Sequence, residues 1–169
     1  MGNYNKEDKR RLEKHYTPGK LTDEMFKLKE KYIDFDITEY LENSAGGGSI
    51  IDRFEKDIPY IAFDIEPEKY RDDIKKCDYL KEKIDYKEGR VCMMNPPFNK
   101  GLKFLYKALK ESDYVICILS QNSIINIDYT KVWVDEIQLW RNYDFGTCKA
   151  SCTVIACRNK REGDKYEYD

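Results

Sequence analysis

The amino-acid sequence predicts a doubly wound α/β domain in which seven strands form a mostly parallel sheet. Three observations predict this class. Short apolar runs alternate with helical or turn-forming segments from residue 38 onward. Strands separated by helices favour parallel pairing through crossover connections. The last two apolar runs are separated only by a turn at Gly146-Thr147, which predicts a C-terminal antiparallel hairpin.

Each predicted strand is a run of apolar or β-branched residues bounded by polar or turn-forming residues. The strands are expected at residues 37–43, 60–65, 76–78, 91–94, 114–120, 137–145 and 150–157. Helices are expected at residues 49–56, 68–75 and 102–110. Residues 1–35 are expected to be a helical segment and residues 158–169 a polar tail, so that residues 1–169 form one domain.

The composition limits the kinds of partner that the chain can have. Its 30 basic and 32 acidic residues give a net charge of −2, so any nucleic-acid contact must rest on a local patch. No apolar run approaches the length of a membrane span, and the N-terminus does not resemble a secretory signal. With a single His and no C-x-x-C pair, no metal site is expected. A cytoplasmic protein with reduced thiols is expected.

The tetrapeptide Asn95-Pro96-Pro97-Phe98 is the most informative motif in the sequence. It directly follows the apolar run Val91 to Met94. Consecutive prolines cannot continue a central strand, because each lacks a backbone donor and has φ fixed. The peptide is therefore expected to be a rigid turn at the carboxyl end of a strand, where open α/β sheets bind their ligands. Its amide, its carbonyls and its aromatic ring suit a planar group that carries an amine.

Three earlier strand ends carry residues that suit a nucleoside cofactor. The loop Ser44-Ala45-Gly46-Gly47-Gly48 follows the first strand, and its glycines allow φ > 0 and the close approach of a ligand. Asp64 ends the second strand 64 − 46 = 18 residues after Gly46, close to the spacing at which a carboxylate accepts hydrogen bonds from ribose hydroxyls. Asp78 and Tyr79, at the third strand end, suit the edge and the face of adenine.

With these motifs, the chain resembles the S-adenosylmethionine-dependent N6-adenine DNA methyltransferases from about His15 to Asn159. Residues 41–48, 63–67 and 77–80 resemble the first three motifs of that family, and residues 95–98 resemble its catalytic motif. Tyr16-Thr17-Pro18 is similar to a motif that some classes carry at the N-terminus. Three positions depart from the usual pattern, since Asn43 replaces Pro, Asp64 replaces Glu and Cys77 replaces Gly.

The resemblance implies a Rossmann-like class I methyltransferase fold that binds S-adenosylmethionine and acts on DNA. It assigns catalysis to Asn95, Pro96, Pro97 and Phe98. It assigns cofactor binding to Tyr16, Thr17, Pro18, Glu42, Ser44, Ala45, Gly46, Gly48, Asp64, Ile65, Asp78, Tyr79 and Asn95. Phe98 is expected to stack on an extruded base. Lys100 and Lys103 lie on one predicted helix face, where they form either a phosphate-contacting stripe or an ordinary solvated surface.

Several alternatives stay open at the level of the sequence. No segment is large enough for a separate target-recognition domain, so a partner chain is one source of specificity. The same turn also suits adenine in RNA or a glutamine side chain in a protein, because these nitrogens pose the same electronic problem. A non-catalytic cofactor-binding subunit is a further alternative. A nicotinamide-dependent oxidoreductase is disfavoured, because Ile51 stands where the dinucleotide fingerprint requires a third glycine.

Overall fold

The computed structural model describes residues 17–145 and 149–167, which contain a seven-stranded sheet. The strands are β1 (Glu39–Glu42), β2 (Tyr60–Asp64), β3 (Lys75–Lys76), β4 (Arg90–Met94), β5 (Tyr114–Ser120), β6 (Val132–Asp144) and β7 (Lys149–Asn159). The α-helices of this part of the chain are α1 (Gly19–Tyr32), α2 (Gly101–Glu111) and α3 (Gln121–Ile124). Short 3-10 helices occupy Ile51–Arg53, Tyr79–Lys81 and Phe98–Lys100.

The strand order is β3-β2-β1-β4-β5-β7-β6, which confirms the predicted mixed sheet with its C-terminal hairpin. All neighbouring pairs from β3 to β5 are parallel, whereas β7 is antiparallel to both β5 and β6. From β1 the chain adds β2 and then β3 on one side of the sheet, and β4 then pairs with the other side of β1. Ligands of open α/β sheets bind at such a switch point, outside the carboxyl ends of the strands.

Both faces of the sheet are covered by a hydrophobic cluster, and the side chains of β4 point alternately into one cluster and the other. Val91 and Met93 point into the cluster beneath α1, where Leu21, Met25 and Leu28 are buried. The alternate β4 residues, Cys92 and Met94, point into the cluster beneath α2. All five residues of β4 are buried, as expected for a central parallel strand with both faces covered.

The segment after the glycine loop is held against the sheet and α1 by an aromatic stack and a buried lysine. The Tyr40 ring of β1 stacks on Phe54 with centroids 4.0 Å apart. Tyr40 Oη donates to Glu55 Oε2 at 2.6 Å, and Lys29 of α1, only 5 % exposed, forms an ion pair with the same carboxylate. These contacts fix the entry and exit of the loop at the switch point.

Two predicted helices are wrong. Residues 49–56 form only the 3-10 turn Ile51–Arg53, and residues 68–75 form turns followed by β3. Helices in proteins are stabilised mainly by burying an apolar face. Between residues 66 and 76 only Ile74 is buried, so this segment has no such face to bury. Its charged side chains instead form local ion pairs, including those of Arg71 with Asp52 and Asp73.

The first strand of the hairpin is longer than predicted. β6 begins at Val132 instead of residue 137, and irregularities interrupt its pairing between Val134 and Glu136 and between Trp140 and Tyr143. The acidic residues Asp135 and Glu136 hide the early part of the strand in the sequence pattern. The turn predicted at residues 146–147 lies outside the described residues. In the described ranges, no helix has the length and apolar character needed to cross a membrane.

Candidate functional site

The catalytic turn predicted from the sequence lies at the carboxyl end of β4, at the switch point. The strand ends at Met94, and Asn95 is the first residue that is partly exposed. Pro96 is buried and Pro97 is exposed, after which Phe98 begins a 3-10 turn that leads into α2. The two prolines therefore end the buried strand abruptly, and Asn95 and Phe98 lie at the carboxyl end of the parallel strands.

The Asn95 amide is tied to the segment that precedes α1. Asn95 Nδ2 donates to Thr17 Oγ1 at 3.3 Å, and Thr17 itself is only 9 % exposed. This bond commits the amide nitrogen to the protein. Among the described residues no hydrogen bond reaches Asn95 Oδ1, which is therefore available to accept one from a ligand. Thr17 of the Tyr-Thr-Pro motif therefore contacts the turn after β4, while Tyr16 lies outside the described residues.

The glycine loop holds two glycines with positive φ that serve different purposes. At Gly46, φ is +54°, and apart from its two chain neighbours no described residue has a heavy atom within 4 Å of the position that a Cβ would occupy. At Gly48, φ is +85° and a Cβ would collide with the guanidinium group of Arg71. Gly46 therefore faces open space that a ligand can use, whereas Gly48 makes room for an internal contact.

Asp64 fastens the glycine loop to the end of β2. Its Oδ2 accepts from the main-chain N of Gly46 at 2.8 Å, and its Oδ1 accepts from the main-chain N of Glu66 at 2.8 Å. Each carboxylate oxygen retains a lone pair for a further donor. The neighbouring residue Ile65 is 68 % exposed. The pair offers a polar edge and an apolar surface side by side.

Glu42, at the end of β1, is a buried acid beside this loop. It is 1 % exposed, and its Oε1 accepts from the main-chain N of Ser44 at 3.0 Å. Burial raises the pKa of Glu42 to about 8, the hydrogen bond from Ser44 opposes the rise, and the nearby Asp64 carboxylate adds to it. At neutral pH the protonated form is therefore favoured in the absence of a ligand.

Asp78 and Tyr79 have different surroundings in the structure. Asp78 caps a 3-10 turn by accepting from the main-chain N of Leu80 at 3.1 Å. Tyr79 is 1 % exposed, its Oη donates to Glu111 at 2.6 Å, and its ring packs against Phe104. The expectation that the Tyr79 ring clamps adenine is therefore wrong, because this ring belongs to the core beneath α2.

The remaining predicted residues divide into loop and surface positions. Pro18 and Ser44 are partly exposed at the site, and Ala45 is buried beneath it. Lys100 and Lys103 are exposed on α2 and its entry turn. Lys107, on the same predicted face, forms an ion pair with Glu111 and lies over the Tyr79 ring, so the lysine stripe is interrupted.

Two residues that shape the site, Arg71 and Phe145, were not assigned to it from the sequence. Arg71 donates to the Gly47 carbonyl at 3.2 Å and covers Gly48, but it lies in a charged run without a motif. Phe145 contacts Phe98 edge-on, with ring centroids 6.1 Å apart. Its strand was predicted, but its approach to residue 98 depends on the strand order, which periodicity does not reveal.

The structure also has two open cavities. One of about 440 Å³ lies beside α3 and is lined by the exposed apolar residues Ile125, Ile137 and Leu139. The other, of about 540 Å³, lies between α1 and Arg53. Neither is lined by Asn95 or by the glycine loop. In the part of the chain that the structure describes, no group of three or more His, Cys, Asp or Glu is placed to hold a metal ion.

Comparison with known proteins supports the fold through structure alone. No family model and no curated protein matches the sequence. Among solved structures, the chain is similar to PH1948 from Pyrococcus horikoshii, whose proposed activity is RNA methylation (TM-score 0.64, 16% identity, 86% of each chain covered). It is also similar to the 23S rRNA methyltransferase ErmE (TM-score 0.61, 10% identity, covering 86% of this chain and 70% of that one).

A third similar structure is the dimethyladenosine transferase of Plasmodium falciparum (TM-score 0.61, 11% identity, covering 85% of this chain and 62% of that one). At these identities the likeness establishes the fold alone, a Rossmann-like α/β fold that the chain shares with these methyltransferases. The residues at the strand ends are chemically compatible with S-adenosylmethionine, the cofactor that the sequence resemblance implies. They offer an open glycine at Gly46, carboxylates at Asp64 and Asp78, and an exposed apolar side chain at Ile65.

The contact between Gly48 and Arg71 predicts an energetic coupling. We expect Gly48→Ala to lower the free energy of unfolding by about 1–2 kcal/mol, because the Cβ is strained at positive φ and displaces the guanidinium. In an Arg71→Ala background the loss should be smaller, since only the strain is left. Urea unfolding of the four proteins measures the coupling. Additive effects of the two substitutions would contradict the contact.

The raised pKa of Glu42 predicts a pH dependence of stability. Between about pH 4.5 and about pH 8 the folded protein keeps a proton that the unfolded chain has released, so stability falls as pH rises. Glu42→Gln has no such proton, so its stability should gain on the wild type by at most about 1.4 kcal/mol per pH unit across that window. Urea unfolding at several pH values, without cofactor, measures the difference, with the exposed Glu88→Gln as a control. A constant difference would contradict the assignment.

Proposed function

We propose that the chain transfers a methyl group from S-adenosylmethionine to the exocyclic N6 amino group of adenine in a nucleic acid. The observation that carries the proposal is the Asn95 amide, which is anchored by Thr17 through its nitrogen and leaves its oxygen available at the carboxyl end of β4. The Pro96 carbonyl and the Phe98 ring belong to the same rigid turn. Together they offer acceptors and an aromatic surface for a planar amine.

The turn answers the chemical difficulty of this amine. The lone pair of the adenine amino group is delocalised into the ring, so the nitrogen is a weak nucleophile. Asn95 Oδ1 and the Pro96 carbonyl would accept its two hydrogens and favour a tetrahedral nitrogen. Bound S-adenosylmethionine would supply a methyl group on a sulfonium, from which a neutral thioether leaves as the N–C bond forms, and the methylated amine would then release one proton to solvent. The protein then needs alignment and placed acceptors, with no titrating base.

The cofactor-binding residues follow from the same arrangement. Gly46 would allow close approach, Asp64 would accept from ribose hydroxyls, and Ile65 would cover a face of adenine. Asp78 would accept from the adenine amino group. The residues Thr17, Pro18, Glu42, Ser44 and Ala45 would border the methionine part, together with Tyr16 if that residue follows the N-terminal motif.

The nucleic acid is proposed to be DNA, which the motif resemblance implies, with RNA as the second candidate. ErmE, to which the fold is similar, is by name a 23S rRNA methyltransferase, and this favours RNA. Phe98 would stack on the target base. Lys100 and Lys103 would meet phosphates, and both are exposed beside the turn. A partner chain is a proposed source of target specificity.

The role of Asn95 predicts a selective loss of turnover. Asn95→Ala should abolish methyl transfer while it changes S-adenosylmethionine affinity by less than about tenfold, because the side chain acts mainly on the amine. Asn99→Ala, an exposed position in the following turn, is the matched control. The assay incubates protein, isotopically labelled S-adenosylmethionine and unmethylated DNA or structured RNA, and identifies labelled nucleosides by mass spectrometry.

The outcomes separate the candidates. Labelled N6-methyladenine in DNA that disappears with Asn95→Ala supports the first candidate, and label in RNA alone supports the second. Cofactor binding without label in either nucleic acid points to a protein glutamine or to a non-catalytic subunit. Unchanged turnover of Asn95→Ala would exclude the catalytic role given to this turn.

A further inference from the structure

A row of aromatic side chains leads from the catalytic turn along the C-terminal hairpin. Phe98 meets Phe145 with ring centroids 6.1 Å apart, Phe145 meets Tyr143 at 5.4 Å, and Tyr143 meets Trp140 at 5.6 Å. All three contacts are edge-to-face, with interplanar angles of 81°, 75° and 90°. The rings of Phe98, Tyr143 and Trp140 are partly exposed, whereas Phe145 is 9 % exposed.

An irregularity in β6 brings this row onto one face of the sheet. Residues three apart in a regular strand point to opposite faces. The pairing of β6 with β7 shifts between Trp140 and Tyr143, so both rings lie on the α1 side. Asn142 within the shift has φ of +49°, and its main-chain N donates to Ser151 Oγ at 3.1 Å. Bulges near functional sites commonly re-aim side chains in this way.

The row returns to Asn95 through the start of α1. Lys20 Nζ lies 5.1 Å from the centroid of the Trp140 ring, and Lys20 follows Thr17, which binds the Asn95 amide. The aromatic row of Trp140, Tyr143, Phe145 and Phe98 is therefore connected to Asn95 at both ends. Trp140 is connected through Lys20 and Thr17, and Phe98 is connected through the two prolines. The row thus borders Asn95 on one side.

We infer that Tyr143 and Trp140, connected to Phe98 through the buried Phe145, form a stacking wall for the bases that flank the target adenine in an unpaired nucleic-acid strand. This inference rests on the proposed function and deepens it. Aromatic side chains bind successive bases of single strands without sequence preference. In a duplex the flanking bases are stacked on each other, and only a flipped base could reach the site.

The charge of the chain favours stacking as the main source of affinity. The chain has a net charge of −2, so it carries no overall excess of basic residues, and phosphate contacts must come from a local patch. Lys20 places a cation at the wall, over the Trp140 ring. Single-strand binding combines stacking on aromatic side chains with cationic contacts to the backbone, and the wall offers stacking together with Lys20.

The test compares Tyr143→Leu with the wild-type protein. Leucine keeps an apolar side chain in the hairpin but removes the ring. The matched control is Tyr70→Leu, an exposed tyrosine in the connection between β2 and β3. Binding is measured with 12-nucleotide adenine-containing single strands of DNA and of RNA, and with the corresponding duplexes. Thermal unfolding and S-adenosylmethionine affinity show whether each variant is folded.

The binding readout does not depend on methyl transfer. In a Trp133→Phe background Trp140 is the only tryptophan, so quenching of its emission reports bases near the wall. Single strands should quench Trp140, and Tyr143→Leu should weaken their binding about tenfold while Tyr70→Leu does not. Duplexes should bind more weakly than single strands, and Tyr143→Phe, which keeps the ring, should restore the affinity lost in Tyr143→Leu.

The results distinguish this inference from the proposed function. Quenching that depends on Tyr143, without methyl transfer to any strand, would support the wall and contradict the proposed function. Methyl transfer with no quenching of Trp140 and no effect of Tyr143→Leu would overturn the wall and leave the proposed function standing. Equal affinity for duplex and single strand would also overturn the wall.

Discussion

The abrupt end of β4 is the constraint on which the site depends. β4 is buried on both faces and paired with β1 and β5 on its two sides, so neighbouring elements hold it on every side. Pro96 and Pro97 cannot donate to either neighbour, and the chain must leave the sheet at once. Asn95 is therefore held by a rigid strand on one side and by a rigid turn on the other. A side chain fixed in this way loses little entropy when it meets a ligand.

The acid at the end of β2 affects the protonation of the buried acid at the end of β1. Glu42 is buried and near Asp64, so the folded protein favours a protonated Glu42 when no cation is present. Asp64 is already engaged with two main-chain donors that hold the glycine loop in place. A ligand with positive charge beside Glu42 would favour the ionised form of this residue. The proposed cofactor carries such charge.

The sequence predicted the elements that have strong local signals and missed those that depend on distant contacts. Strands β2, β4, β5 and β7 follow apolar runs, and the turn after Met94 follows from two prolines. The predicted helix at residues 68–75 failed because charge alone does not stabilise a helix without an apolar face. Tyr79 was given to the ligand, but Glu111 on α2 captures its hydroxyl within the core. Nothing local distinguishes a buried tyrosine from an exposed one when its partner lies 32 positions away.

The hairpin shows why the aromatic residues near the turn after β4 could not be predicted by considering one strand at a time. In the sequence, residues 140–145 alternate poorly, because an irregular pair of residues separates Trp140 from Tyr143. The start of β7 pairs with the carboxyl end of β5, where Ser120 lies opposite Cys152, so the end of β6 lies at the same end of the sheet as the turn after β4. This antiparallel arrangement allows Phe145, directly after β6, to contact Phe98, a proximity that the order of residues along the chain does not reveal.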